Sequence, residues 1–163
     1  RFELRTLDEA RHLAELLAYA FPDSSRTQLG LTELLVNGVE HGNLKLSYAE
    51  KSALLNTGTL DHEIASRLAL ADYAQKRVRV SLDRTETALR ISITDDGEGF
   101  DWNQYLDLDG ARSTDGHGRG IAMAKAISFD KLDFQGCGNQ VVASVSLKGI
   151  DADAWPEEER KVA

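Results

Sequence analysis

Three alternate glycines with two basic residues between them could bind an anion. They form Gly116-His117-Gly118-Arg119-Gly120, directly before a predicted helix that ends near Ile127. Glycines expose backbone N–H groups, and a helix start adds a partial positive charge, so this segment predicts a phosphate site. A flexible surface loop is the alternative, because three glycines alone do not decide it. The segment fits neither a dinucleotide fingerprint, since Ile121 replaces its last glycine, nor a Walker loop.

Asp95 is the second candidate. It continues the alternating apolar row that ends at Ile93, which is the row expected to face the core. A carboxylate buried there needs a hydrogen-bond donor, and the amino group of a ligand would serve. Gly97 and Gly99 would leave room for a flat ring. An ordinary Asp-Gly hairpin turn is the alternative, and Asp96, on the opposite row, is expected in solvent.

Glu33, Asn37 and His41 recur every four residues within a predicted helix, so their side chains stack along one face beside an apolar surface. Such a polar stripe is unusual on a core helix, although a solvated helix face would explain it equally well if the helix stood alone. Gly38 favours the functional interpretation. A glycine inside a helix costs about 1 kcal/mol relative to alanine, and it often lets another group approach the backbone closely.

Two long helices are predicted at the start of the chain. Apolar residues at three- and four-residue spacing indicate a helix over residues 8–21, which Pro22 ends. The second helix, which carries the polar stripe, is expected to begin at a cap on Ser24 or Ser25 and to end at Gly42.

The remaining chain changes from short helices to strands. Residues 47–76 indicate two or three short helices with a break around Gly58. Alternating apolar residues then predict two hairpins, with turns at 83–87 and 136–138. Helices first and strands later are typical of an α+β fold, here a two-layer sandwich of a mixed, mainly antiparallel sheet with helices on one face.

Composition excludes several classes of protein. The 163 residues fit one domain, and a single cysteine, Cys137, suits a reducing compartment, so the cytoplasm is expected. A net charge of −8 would repel a phosphate backbone, so no nucleic-acid partner is expected. No apolar stretch approaches ~18 residues and no export signal is recognisable, so no membrane partner is expected. Because its only methionine is Met123, the chain is expected to be part of a longer protein.

In their order and spacing, the three segments resemble the ATP-binding domain shared by gyrase, the large heat-shock chaperones, histidine kinases and MutL, the GHKL superfamily. The resemblance covers roughly residues 2–147 and implies the Bergerat-type ATP-binding fold. Glu33-x-x-x-Asn37 resembles the N box, Asp95-x-Gly97-x-Gly99 the first glycine box and Gly116-x-Gly118-x-Gly120 the second, with residues 101–115 as the ATP lid. The run from Glu33 to Gly42 is most similar to the anti-sigma-factor serine kinases, whose N box reads E-x-x-x-N-x-x-x-H-G.

The resemblance implies ATP and Mg²⁺ as cofactors and a serine or threonine of a small protein, similar to an anti-sigma factor antagonist, as the phosphate acceptor. Glu33 would be the general base, Asn37 would coordinate Mg²⁺, and Asp95 would bind the adenine amino group. His41 would brace the N box or contact phosphate, with a structural role equally open. The remaining nucleotide-binding residues would be Gly97, Gly99, Gly116, His117, Gly118, Arg119 and Gly120. A sigma factor as a further partner and a homodimer are also implied.

We expect one GHKL ATPase/kinase domain over residues 1–150, with a helical insertion at about 44–77, followed by an acidic tail over 151–163. The pattern departs from the family at two points, and the first is this segment over 44–77, which is longer than the compact anti-sigma kinases need. The second is a single residue. Asn139 follows Gly138 where a threonine usually stands, so the water-mediated adenine contact of that threonine has no counterpart in the sequence.

Two alternatives stay open and one is disfavoured. A histidine-kinase-type catalytic domain is the first, although His62-Glu63-Ile64 lacks the proline of a phosphoacceptor box and follows the N box. A module that sequesters a partner in an ATP-dependent way, with little turnover, is the second. A gyrase-like or MutL-like clamp would need a transducer domain and a less acidic surface.

Overall fold

The computed structural model describes residues 1–100, 121 and 124–147. Five strands form one sheet in the order β1-β2-β3-β5-β4, and each of the four described pairings is antiparallel. The strands are β1 (Phe2–Leu4), β2 (Val78–Arg84), β3 (Ala88–Thr94), β4 (Lys131–Gln135) and β5 (Gln140–Ser146). Both predicted hairpins are confirmed, whereas the three-residue strand β1 was not predicted.

The helices are α1 (Leu7–Ala18), α2 (Ser24–Asn37), α3 (Tyr48–Thr57), α4 (Leu60–Ala69) and α5 (Ala71–Ala74), with π-helical segments at Gly38–Asn43 and Ala124–Ser128. Among the residues described, none of these helices is long and apolar enough to cross a membrane. Together with the sheet they give the predicted α+β sandwich.

One face of the sheet carries the core. On the central strand β3, Leu89, Ile91 and Ile93 are buried, while Arg90 on the opposite row is exposed. Leu31 and Leu35 of α2 are fully buried in the same cluster. Burial of these rows between helix and sheet fixes the register of β3, because a slip by one residue would turn every core side chain into solvent.

The second helix begins and ends differently from the prediction. Its cap is Asp23, whose carboxylate accepts the N–H of Arg26 at 3.0 Å, so Ser24 already lies inside the helix. At its other end the chain does not stop at Gly42 but widens into the π-helical segment Gly38–Asn43, closed by the N–H of Leu44 on the carbonyl of Val39. Such π turns are rare and frequently occur at functional sites.

The predicted insertion folds as α3, α4 and α5, and the expected break is confirmed at Gly58, which ends α3 with φ 69°. No residue of α3 is buried. Ile64 of α4 is buried in the core cluster. Arg67 adds polar contacts: its guanidinium binds Glu63 at 2.7 Å, Glu50 at 2.9 Å and the carbonyl of Leu44 at 3.0 Å. The insertion is therefore fastened to the segment that follows the π turn.

Candidate functional site

A cavity of about 510 Å³ opens between the end of α2 and the carboxyl end of β3. Four residues predicted for the site line it, namely Asn37, His41, Asp95 and Gly99. Ile121, the one described residue at the start of the helix after the second glycine box, also lines it. The structure thus brings the N box and the first glycine box together around one cavity of the size that small-molecule sites have.

Asp95 lies at the floor of this cavity, at the end of the buried row of β3. Its Oδ1 accepts the N–H of Gly97 at 2.8 Å. Burial raises the pKa of the Asp95 carboxyl to about 6, with the neighbouring charge of Asp96 adding to the effect. A buried carboxylate with unused acceptor positions is suited to receive an N–H donor from a ligand.

The glycines around Asp95 are required by close packing of the chain. A Cβ on Gly42 would lie 2.5 Å from Oδ1 of Asp95, and one on Gly97 would lie 2.6 Å from the same oxygen. At Gly99, where φ is 79°, a Cβ would overlap the backbone of Cys137. Gly42 and Gly97 thus allow close packing around the Asp95 carboxylate, and Gly99 allows close packing on Cys137. That Gly97 and Gly99 also leave room for a flat ring stays a prediction.

Glu33 and Asn37 form a pair on adjacent turns of α2. The amide nitrogen of Asn37 donates to Oε1 of Glu33 at 2.9 Å, and Asn37 faces the cavity. Because the amide nitrogen is engaged by Glu33, the oxygen of Asn37 is the atom left for a ligand or a metal ion. A divalent cation that prefers oxygen ligands fits this arrangement.

His41 follows one turn later, inside the π-helical segment. Its Nδ1 contacts the carbonyl of Leu46, and its ring packs against Tyr48 with centroids 4.1 Å apart. Burial lowers the pKa of His41. A neutral ring that donates from Nδ1 carries its lone pair on Nε2, and this buried atom has no hydrogen-bond partner among the residues described. His41 therefore lines the cavity with its Nε2 enclosed by protein, which fits a bracing role for this ring.

The alternation of the strand predicts that Asp96 lies in solvent, but its side chain is instead bound by neighbouring residues. Its carboxylate binds the guanidinium of Arg79 at 2.6 Å and accepts the backbone N–H of Arg77 at 3.0 Å. The Arg79 guanidinium holds the pKa of this carboxyl below its usual range. The two adjacent carboxylates thus have opposite environments, one set by burial and one by an ion pair.

The model of the histidine kinase-like ATPase domain matches residues 1–145 of the chain. The chain belongs to this family. No curated protein matches it with significant similarity. Domains of this GHKL type bind ATP, normally together with Mg²⁺, and the cavity with its N box and first glycine box lies within the matched residues.

The second glycine box of this ATPase domain lies outside the described residues. Gly116, His117, Gly118, Arg119 and Gly120 therefore stay predictions, as do the lid over 101–115 and the tail over 151–163. Within residues 1–100, 121 and 124–147, no three His, Cys, Asp or Glu side chains cluster as a metal site.

Sequence reasoning missed several cavity residues of the ATPase domain. Lys45 and Glu98 form an ion pair of 2.5 Å and both line the cavity, and Phe134 packs edge-on against Phe100 with centroids 5.3 Å apart. The position of Phe100 could have been predicted, since this residue directly follows the first glycine box. No feature of the sequence indicated Lys45 or Phe134, because only the fold brings the insertion and β4 to this cavity.

Proposed function

We propose that this ATPase domain is a protein kinase that transfers the γ-phosphoryl group of ATP to a serine or threonine hydroxyl of a small partner protein. The observation that carries the proposal is the Glu33–Asn37 pair beside the cavity. It joins a carboxylate able to accept a proton to an amide oxygen able to bind a cation, one helical turn apart.

Asp95 would orient the nucleotide by accepting an N–H of the adenine amino group. Its raised pKa and the close packing of Gly42 against it support this role, because both indicate a carboxylate that is largely withdrawn from water. Phe100 and Phe134 supply apolar surface on the same cavity. Aromatic and aliphatic walls with a few convergent polar groups are typical of sites for small molecules.

Asn37 would hold Mg²⁺ through its amide oxygen. When bound, the cation neutralises charge on the phosphates and orients them for in-line transfer. Glu33 keeps the amide of Asn37 turned so that its oxygen, and not its nitrogen, is available.

Glu33 would act as the general base. As the bond from the acceptor oxygen to the γ-phosphorus forms and the bond from that phosphorus to the bridging oxygen of ADP breaks, Glu33 takes up the hydroxyl proton. Gly116, Gly118 and Gly120 would bind phosphate through backbone N–H groups, with His117 and Arg119 adding positive charge.

The partner that we propose is a small protein similar to an anti-sigma factor antagonist. A sigma factor as a second partner and a homodimer belong to the same proposal and rest on the resemblance of the N box alone.

The test is Glu33→Gln, with Glu15→Gln on the exposed face of α1 as the matched control. We expect Glu33→Gln to lower transfer from γ-labelled ATP to a candidate antagonist-type protein by about 100-fold or more, while the affinity for ATP stays unchanged. Glu15→Gln should behave as the wild type. Undiminished transfer in Glu33→Gln would remove the base assignment.

The stability of the product separates the kinase classes. A phosphoester on serine or threonine survives acid, whereas a phosphohistidine is lost in acid and survives base. An acid-labile product would favour the histidine-kinase alternative, and tight ATP-dependent capture without a labelled product would favour the sequestering module.

A further inference from the structure

We propose that Asn43 and Asn139 are positioning residues that fix the Asp95 carboxylate for recognition of the 6-amino group of a purine. The inference rests on the proposed binding of ATP in this cavity and goes beyond it. Neither asparagine belongs to the glycine boxes or the N box. Asn43 ends the π-helical segment, and Asn139 directly precedes β5.

Asn139 binds the backbone of Asp95 twice. Its carbonyl accepts the N–H of Asp95 at 3.0 Å, and its side-chain nitrogen donates to the carbonyl of Asp95 at 3.2 Å. Asn139 is partly buried and lines the cavity. The first contact needs only a backbone, but the second needs a side chain with an N–H donor of this length.

Asn43 binds the other end of the same peptide unit. It is 2% exposed, at the end of the π-helical segment, and its Oδ1 accepts the N–H of Asp96 at 2.8 Å. The peptide group between Asp95 and Asp96 therefore has its carbonyl bound by Asn139 and its N–H bound by Asn43. With both ends bound, the plane of this peptide cannot rotate without the loss of a buried hydrogen bond.

The fixed peptide determines where the carboxylate points. Oδ1 of Asp95 is engaged by the N–H of Gly97, and the carboxylate packs directly on Gly42. Oδ2 is then the oxygen left to accept a proton donor from a ligand. Rotation of the peptide would move this oxygen, and a hydrogen bond weakens steeply when its geometry is lost.

A merely structural role would make a different prediction. Loss of either asparagine would then lower stability and the affinity for every nucleotide alike. A positioning role changes affinity only for ligands that have the 6-amino group. Two probes separate these cases, ATP and purine riboside triphosphate, which lacks only that amino group.

The experiment measures binding of both nucleotides, with Mg²⁺, to the wild type and to Asn139→Ala, Asn139→Asp and Asn43→Ser. Asn139→Asp is nearly isosteric and replaces the donor by an acceptor. Asn56→Ala, which removes an exposed amide on α3, is the control. We expect each site variant to weaken ATP binding on the order of tenfold, with less than about twofold change for purine riboside triphosphate. Asn56→Ala should leave both affinities unchanged.

A double-mutant cycle keeps the test independent of folding. On an Asp95→Asn background, Asn139→Ala should cause no further loss of selectivity, because the selectivity acts through Asp95. If the wild type prefers ATP and folded Asn139 and Asn43 variants keep the full preference, the positioning role is wrong while ATP binding stands. A wild type that binds neither nucleotide, or both equally, overturns the inference together with the adenine site.

Discussion

At the scale of single residues, we expect the ionised Asp95 to lower the free energy of unfolding and to be necessary for tight binding of ATP. Its folded pKa of about 6 exceeds the ordinary value of 3.8, so the folded state takes up a proton more readily than the unfolded chain. The free energy of unfolding should therefore fall, through this group, as the pH rises from about 4 to about 6. Above pH 6 the ionised carboxylate is at its most unfavourable.

Asp95→Asn should consequently raise stability and weaken the binding of ATP. At pH 8 we expect its free energy of unfolding to exceed that of the wild type on the order of 1 kcal/mol, a value reduced for partial exposure of the group. ATP affinity should fall at least tenfold, because the new amide turns a donor toward the adenine amino group. Urea unfolding at several pH values and nucleotide titration measure the two effects.

Asp96 provides the matched control, because its pKa is lowered by Arg79 instead of raised by burial. Such a carboxylate contributes stability above its unfolded pKa, and the contribution is lost as the pH falls through the folded pKa. Asp96→Asn should therefore be less stable than the wild type at pH 8. Equal shifts of the same sign for both variants would contradict the two environments described.

The sequence predicted Asp95 but not what holds it. Strand alternation was sufficient to assign Asp95 to the core row, since that depends only on local geometry. Gly42, Asn43 and Asn139 were not recognised, because each acts on Asp95 or Asp96 through a tertiary contact between residues more than 40 positions apart. Gly42 in particular has the sequence signature of a helix stop, although its reason is the contact with the carboxylate.

At the scale of elements, the insertion has few fully buried residues, and Arg67 is one of the groups that hold it in place. Of its two longer helices, α3 has no buried residue and α4 has only Ile64. Arg67 joins these helices to each other and to the carbonyls of Leu44 and Lys45 at the edge of the cavity. Lys45 is the one non-glycine residue with positive φ in the described part of the chain, so this edge has little tolerance for movement.

Arg67→Lys should loosen the insertion, since an ammonium group cannot reproduce the several directed contacts of a guanidinium. We expect a loss of roughly 1 to 3 kcal/mol in the free energy of unfolding, measured with urea, and weaker ATP binding. Arg11→Lys is the control: Arg11 pairs with Asp8 on the surface of α1, at 55% side-chain exposure, and should change stability by less than about 0.5 kcal/mol. Similar losses in both variants would argue against a special role for Arg67.

Helices and hairpins were largely predictable from the spacing of apolar residues, whereas the π-helical segment was not. Its apolar positions continue those of α2, and widening a helix by one residue per turn leaves no mark in such a pattern. The segment matters because it contains both His41 and Asn43. The strand β1 escaped prediction because three residues give too little alternation to recognise.

At the scale of the whole molecule, the ordered set of motifs predicted the fold where no single motif could. The polar stripe of α2 could equally have been a solvated helix face. The Asp-Gly segment could have been an ordinary hairpin turn. Their arrangement around one cavity joins residues from the first and second halves of the chain, and the family model extends over residues 1–145.

Binding across the two halves predicts a global effect of nucleotide. A ligand that binds only the folded chain stabilises it by RT ln(1 + [L]/Kd), about 2.7 kcal/mol at a hundredfold excess over Kd. For a domain of this length that corresponds to a rise of about 5 to 10 °C in Tm. Thermal unfolding with ATP and Mg²⁺ should show this rise in the wild type and about half of it or less in Asp95→Asn, because a tenfold weaker affinity leaves roughly 1.4 kcal/mol of stabilisation. Chelation of Mg²⁺ should remove part of it, because Asn37 would then bind no cation. A rise of equal size in the two proteins would mean that the nucleotide binds somewhere other than beside Asp95.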